Sequence, residues 1–355
     1  MSKTRIRWLA LALAAALVAA GALIWVNSGS DGPRIATEDR LIQVADGPNR
    51  DQQVQLDTTL YLPEQTPAPA VLVAHGFGGS KQSVDQDARE LAARGFVVLA
   101  WSARGFGRST GQIALNSPDY EVADTRQLID ELAKRPEVRQ DGPNDPRVGI
   151  TGGSYGGSIS LLTAGTDKRI DALVPVITYN DLSQAFVPNS ATTGQVSDSP
   201  AANAFAAEGV FKRSWAGVFF ASGMGGAGFA NPSAEAAEPG VDNDDQLDAQ
   251  NPGTAAATDP GSGEQSGLPP GNGRGAAPDT GACGKFTPQI CQAYTELATT
   301  GRASQATIDL LKSVSPAAVT GNITQPTMIV QGEQDTLFGL DQSDATARQI
   351  SQAGG

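Results

Sequence analysis

The chain has 355 residues, 40% of them apolar and 18% charged, with 25 Lys and Arg against 38 Asp and Glu for a net charge of −13. This leaves room for a large core and excludes collagen-like, wholly disordered, disulfide-dense and polytopic membrane classes. The acidic balance disfavours general affinity for nucleic acid or anionic lipid, and one histidine with two cysteines disfavours a zinc site, so no cofactor or metal is implied.

Lys3, Arg5 and Arg7 precede an uncharged apolar stretch at residues 8–26, after which the chain turns polar. A basic start followed by an apolar run marks an export signal, and 19 apolar residues are also enough to span a bilayer. Residues 1–30 are therefore expected to be a signal peptide or an N-terminal membrane anchor. The rest is expected to be extracytoplasmic, with no membrane contact beyond that segment. In an oxidising compartment Cys283 and Cys291, eight positions apart, are expected to form a local disulfide rather than remain two buried thiols.

Residues 41–62 alternate weakly and predict two antiparallel edge strands. Residues 70–74 form a wholly apolar run that ends at His75-Gly76-Phe77-Gly78-Gly79, and residues 83–94 have helical spacing. A second buried strand at 95–100 leads to Arg104-Gly105-Phe106-Gly107-Arg108-Ser109. A helix at 120–135 carries Val122, Leu128, Ile129 and Leu132 on one face. The strand at 148–151 runs directly into Gly152-Gly153-Ser154-Tyr155-Gly156-Gly157 and a helix, and residues 170–178 form a fourth strand. Fully apolar strands alternating with helices predict an α/β fold with a mostly parallel sheet covered on both faces.

After Asp181 that pattern stops. A segment with Phe205, Phe211, Trp215, Phe219 and Phe220 reads as apolar and helical. Residues 231–281 hold nine Gly, seven Pro and nine acidic side chains against Arg274 alone, and are expected to be a loosely held or disordered insertion. Its −8 is most of the chain's −13, so the acidity is local. From residue 326 the α/β pattern returns with a short strand ending before Asp335, then a helix at 342–352.

Gly152-Gly153-Ser154-Tyr155-Gly156 matches G-x-S-x-G between a strand-like and a helix-like run, the context that a nucleophile elbow requires. Ser154 is the candidate nucleophile at a helix N-terminus, with Gly152 and Gly156 permitting the turn. The loop His75-Gly76-Phe77 follows an earlier strand, and the backbone N–H groups of Phe77 and Tyr155 are the candidate oxyanion donors. Asp335, at the end of a late strand, is the candidate acid that orients a histidine, with Glu333, Asp341 and Asp344 as alternatives.

These motifs, in this order, resemble those of the X-prolyl dipeptidyl peptidase and cocaine esterase group of α/β-hydrolases. The similarity covers residues 50–181 and 320–350. It implies an α/β-hydrolase fold with Ser154 as nucleophile, Asp335 as acid and an inserted helical cap. The implied organisation is residues 31–181 as the first part of the core, 182–320 as the cap insertion with the acidic segment 231–281, and 321–355 as the return to the core. Ser102 departs from relatives that often carry an acidic residue before R-G-x-G.

In that fold the order is Ser, Asp, His. No histidine follows Asp335, and His75 lies on the oxyanion loop. The expected reading is an exported serine hydrolase that cleaves esters or amides, peptides included, through an acyl-enzyme on Ser154. Its C-terminal end is expected to be missing, and this chain is expected to be inactive. The alternative is a non-catalytic hydrolase-fold binding or scaffold protein. Esterase and peptidase are not separable, because no carboxylate that would hold a substrate's amino terminus can be placed.

Overall fold

A computed structural model of the chain describes residues 35–188, 211–223 and 283–355. Contacts divide the chain into one unit of residues 1–229 and 283–355 and a second, 230–282, that lies wholly outside the described residues. The apolar start, Phe205 and the acidic segment 231–281 also lie outside them. Among the described residues no helix is long and apolar enough to cross a membrane.

The described residues build a six-stranded sheet, its strands Ala36–Asp46 (β1), Gln52–Leu62 (β2), Val97–Trp101 (β4), Ala70–Ala74 (β3), Val148–Gly153 (β7) and Ile170–Val176 (β8) lying side by side in that order. β1 (Ala36–Asp46) and β2 (Gln52–Leu62) form an antiparallel pair in register from Ala36 opposite Leu62 to Asp46 opposite Gln52. β1 starts five residues before the predicted strand. Residues 36–40 carry Glu38, Asp39 and Arg40 on an exposed edge, so they lack the apolar alternation that announces a strand. β2 then runs antiparallel to β4 (Val97–Trp101). β3 (Ala70–Ala74) runs parallel to both β4 and β7 (Val148–Gly153), and β7 parallel to β8 (Ile170–Val176). Residues 326–330 extend the sheet beyond β8. The Met328 N–H donates to Leu173 O and the Ile177 N–H to Val330 O, at 3.0 and 2.7 Å. A short hairpin, β5 (Gln140–Gly142) and β6 (Asp145–Pro146), is too brief to show in the sequence pattern.

β3 and β4 are apolar on both faces because helices cover both sides. On one side stand α1 (Asp85–Ala93), and on the other α2 (Glu121–Ala133) and α3 (Tyr155–Thr166). Val122, Leu128, Ile129 and Leu132 of α2 are all buried, as their spacing predicts. α3 is buried almost throughout, and only small residues let it lie so close to the sheet. A Cβ on Gly156 would sit 2.4 Å from the Ala74 carbonyl oxygen, inside van der Waals contact.

The remaining described helices are α4 (Leu182–Phe186), α5 (Arg213–Gly223), α6 (Pro288–Thr300), α7 (Gln305–Ser313) and α8 (Leu340–Ala353). α5 carries Trp215, Phe219 and Phe220 from the apolar segment read in the sequence. Cys283 and Cys291 are joined in a disulfide, with Cα atoms 5.4 Å apart, at the start of α6. This bond ties the turn bearing Phe286 to the helix bearing Ile290, and both side chains are buried.

Candidate functional site

The strand order decides where the site lies. The chain leaves β3, builds β4 on one side of it, then crosses to build β7 on the other. Loops leaving the carboxyl ends of β3 and β7 therefore start side by side, and such a switch point opens a crevice. Ala74 at the end of β3 pairs with Gly152 of β7, so the His75 loop and the Ser154 turn are neighbours.

Ser154 has φ 54° and ψ −114°, a left-handed backbone conformation that a non-glycine residue rarely adopts. The surroundings hold it there. The Ser154 N–H donates to Val176 O at 2.9 Å, and its carbonyl accepts from the Thr178 hydroxyl at 2.8 Å and from the Gly157 N–H at 3.0 Å. Its side chain makes no capping bond to α3 and instead stands at the wall of a pocket. A Cβ on Gly76 would lie 3.9 Å from the Ser154 Cβ, so the loop bearing Phe77 runs against the elbow. The Tyr155 N–H opens α3, where the helix dipole favours negative charge. Ser154, Phe77 and Tyr155 thus share one pocket wall.

Tyr155 is anchored from behind. Its phenol accepts from the Asn116 N–H at 3.1 Å and donates to Glu121 Oε1 at 3.3 Å, while Asn116 Nδ2 donates to the Tyr155 carbonyl at 2.9 Å. Burial pushes the Glu121 carboxyl up to about 7, although its oxygens accept N–H groups from Ala114 and Ser117. Sequence reading missed Glu121 and Asn116, since one polar residue at a helix start and one in a loop carry no pattern. Leu115 and Asn116, consecutive non-glycine residues with φ 57° and 62°, are strain that no composition shows.

His75 is fully committed to backbone. Its Nε2 accepts the Ala103 N–H at 2.9 Å and its Nδ1 donates to Gly76 O at 2.7 Å, which fixes the neutral Nδ1–H tautomer. Burial lowers its pKa to about 4. It therefore holds the loop in shape and has no nitrogen left for a proton from Ser154. Because the folded pKa lies below the ordinary 6.5, this group's stabilisation is complete above pH 6.5. It is lost as pH falls through 4, to the extent of about 3 kcal/mol. The chain's one histidine gives a single set of imidazole resonances, expected to stay in the neutral form down to pH 5. A ring titrating near 6.5 in the folded protein would contradict this placement.

Asp335 is half-buried at the end of the extended segment 326–330. Its Oδ1 accepts the N–H groups of Leu337 and Phe338 at 2.8 and 2.9 Å, and its Oδ2 lies 3.4 Å from Gln331 Nε2. The carboxylate thus caps the turn that carries Phe338 into the pocket. Among the described residues no hydrogen bond joins it to Ser154 or His75. Of the alternatives, Asp344 pairs with Arg348 at 2.8 Å, and Asp341 accepts from Gln342. Ser102 is buried and takes the Lys81 N–H on its Oγ at 3.1 Å. A Cβ on Gly107 would already lie 2.7 Å from that Oγ, which leaves little space for a longer acidic side chain.

The pocket spans about 740 Å³, the open solvent at its mouth included. Its walls come from the Phe77 loop, α4, α5, α6, α7 and the Phe338 turn. Phe77 is its hub, meeting Tyr155, Phe219 and Phe106 edge-on and stacking on Phe286. No group of three or more metal-binding side chains occurs among the described residues.

Curated relatives cover part of the chain. It is 33% identical over 132 residues to Uncharacterized protein PA2218 of Pseudomonas aeruginosa, a match spanning 36% of this chain and 34% of that protein. It is 32% identical over 144 residues to the Quorum-quenching protein AidA of Acinetobacter baumannii, spanning 39% of this chain and 46% of that one. The chain thus matches between a third and a half of the length of these relatives. Among solved structures, Acetyl Xylan Esterase 1 from Thermoanaerobacterium superposes with a TM-score of 0.45 at 15% identity, covering 90% of this chain and 78% of its own. The sheet order, with a strand–Ser154–helix elbow at its carboxyl edge, is that of the α/β-hydrolase fold. The family model for the X-Pro dipeptidyl-peptidase (S15) family matches residues 46–352, and the chain belongs to that family.

Proposed function

We propose that this chain is a serine hydrolase of the extracytoplasmic space that acts on ester or amide bonds through Ser154. The observation that carries the reading is the strained Ser154 backbone at the strand-to-helix turn, with its side chain at the wall of an aromatic-lined pocket. In this reading Oγ bonds to the substrate carbonyl carbon while its proton passes to a base. The carbonyl oxygen becomes an oxyanion facing the Phe77 and Tyr155 N–H groups, each worth on the order of 3 kcal/mol in the transition state. The leaving group departs with that proton, and water then releases the acyl group. Asp335 is the carboxylate assigned to orient a base. His75 is not that base, because both its nitrogens are occupied. The Cys283–Cys291 disulfide supports an oxidising compartment.

The test supplies the base from solution. With imidazole present, p-nitrophenyl butyrate is expected to give a burst of about one p-nitrophenol per chain, and Ser154→Ala none. An equal burst from Ser154→Ala would overturn the assignment. Absence of any burst would favour a non-catalytic binding protein that uses the same cleft.

A further inference from the structure

We infer that the cleft beside Ser154 receives an uncharged, apolar acyl group, so that the substrate class is neutral hydrophobic esters rather than peptides with a free amino terminus. The inference deepens the proposed function and rests on Ser154 as the reacting centre.

The lining decides the class. Among the described residues none that lines the pocket is charged. Ten of them are aromatic, drawn from the chain's 20 Phe, Tyr and Trp residues. Two of the three tyrosines turn their hydroxyls away from a ligand. The Tyr155 phenol is bound to Asn116 and Glu121, and the Tyr179 hydroxyl lies 2.8 Å from Ser158 Oγ, from which it accepts a hydrogen bond. The third, Tyr294, stacks its ring on Phe220 at 3.7 Å. A dipeptide's ammonium group would leave water here without a carboxylate among the described lining residues to meet it, and burying an unpaired charge is strongly unfavourable. An alkyl or aryl acyl group meets no such penalty and gains by leaving water.

The same cavity brings the reacting serine and the aromatic side chains together. Ser154 lines it together with residues of α5 and α6, and there Phe220 stacks on Phe286 with centroids 5.2 Å apart. With the reacting carbon at Ser154 Oγ, the acyl chain meets this aromatic lining and its carbonyl oxygen faces the Phe77 and Tyr155 N–H groups.

Binding can be read without turnover. Calorimetric titration of the full chain, and of its Ser154→Ala form, with 1-butanol, 1-hexanol and 1-octanol is expected to show affinity rising about threefold to fourfold per methylene. Octylammonium and glycyl-proline amide are expected to bind at least tenfold more weakly than 1-octanol. Phe219→Asp, on a partly buried position of α5, is expected to lower 1-octanol affinity more than tenfold. A far-UV circular dichroism spectrum and an unfolding midpoint of Phe219→Asp that match those of the unsubstituted chain serve as the folding control. Equal affinity for octylammonium or the dipeptide amide would overturn the inference, as would a flat chain-length series or an unchanged Phe219→Asp. Octanol binding without any Ser154 acylation in imidazole would sink the proposed function while leaving the ligand class intact. Acylation without octanol binding would do the reverse.

Discussion

Turnover of a neutral ester by these 355 residues alone is expected to lie about a million-fold below that of an enzyme with a complete triad, because losing the base removes most of what the triad contributes. The cause lies in two hydrogen bonds. The Ala103 N–H occupies His75 Nε2 and Gly76 O occupies Nδ1, inside a site that holds the ring neutral far below physiological pH. His75→Gln is therefore expected to affect folding of the Phe77 loop more than any proton transfer. Imidazole added to the buffer is expected to raise the rate in proportion to its free-base concentration, and Ser154→Ala to erase the gain. A rate in plain buffer typical of complete serine hydrolases would show that a group other than His75 serves as base.

The second large effect concerns stability. Arg104 is buried and gives a bidentate pair to Asp124, with Nε at 2.8 Å and Nη2 at 2.7 Å, while Nη1 reaches Asp46 at 2.5 Å. Its ring-side neighbour is Tyr120, with the guanidinium 5.0 Å from the aromatic centroid. Burial alone would lower the guanidinium pKa, but the Asp124 carboxylate outweighs it and keeps Arg104 charged. Arg104→Met leaves Asp124 buried without its partner, which is expected to cost about 3 to 5 kcal/mol in urea unfolding. Arg104→Met combined with Asp124→Leu is expected to recover most of that loss, because the cost is the abandoned charge and not the pair itself. A double variant as unstable as the single one would instead place the cost in lost packing. The pair also matters to the site, since it fastens β1 and α2 to the segment leading from β4. The same helix supplies Glu121 to Tyr155.

Much of this was legible in the sequence where a short apolar run met a glycine cluster. Residues 70–74 and 148–151 could be read as buried strands because nothing polar interrupts them, and Ser154 stood out because two glycines flank it immediately before a helical run. The neighbourhood of the Phe77 loop and the elbow then followed from parallel pairing alone. Interactions spanning long stretches of sequence were not legible. Arg104 shows in the sequence only as the start of a glycine-rich motif, with nothing to mark Asp124, 20 positions on, as its buried partner. His75 gave no hint that the Ala103 N–H, 28 positions on, occupies its ring. Asp335 was read as a triad acid, and its carboxylate also caps the Phe338 turn, a role fixed by two N–H groups whose direction only the backbone reveals. The aromatic pocket was only half visible. Phe219 and Phe220 belong to a recognisable apolar segment, whereas Phe286 and Ile290 lie beyond the acidic stretch and carry no periodic signal by themselves.

The most direct measurement on Ser154 is the mass of the intact chain after exposure to a fluorophosphonate, with and without imidazole, followed by peptide mapping. The expected result is one adduct per chain, on the peptide containing Ser154, forming slowly in buffer, faster with imidazole and not at all in Ser154→Ala. An adduct on another residue, or none in imidazole from a chain that stays folded, would contradict Ser154 as an activated nucleophile.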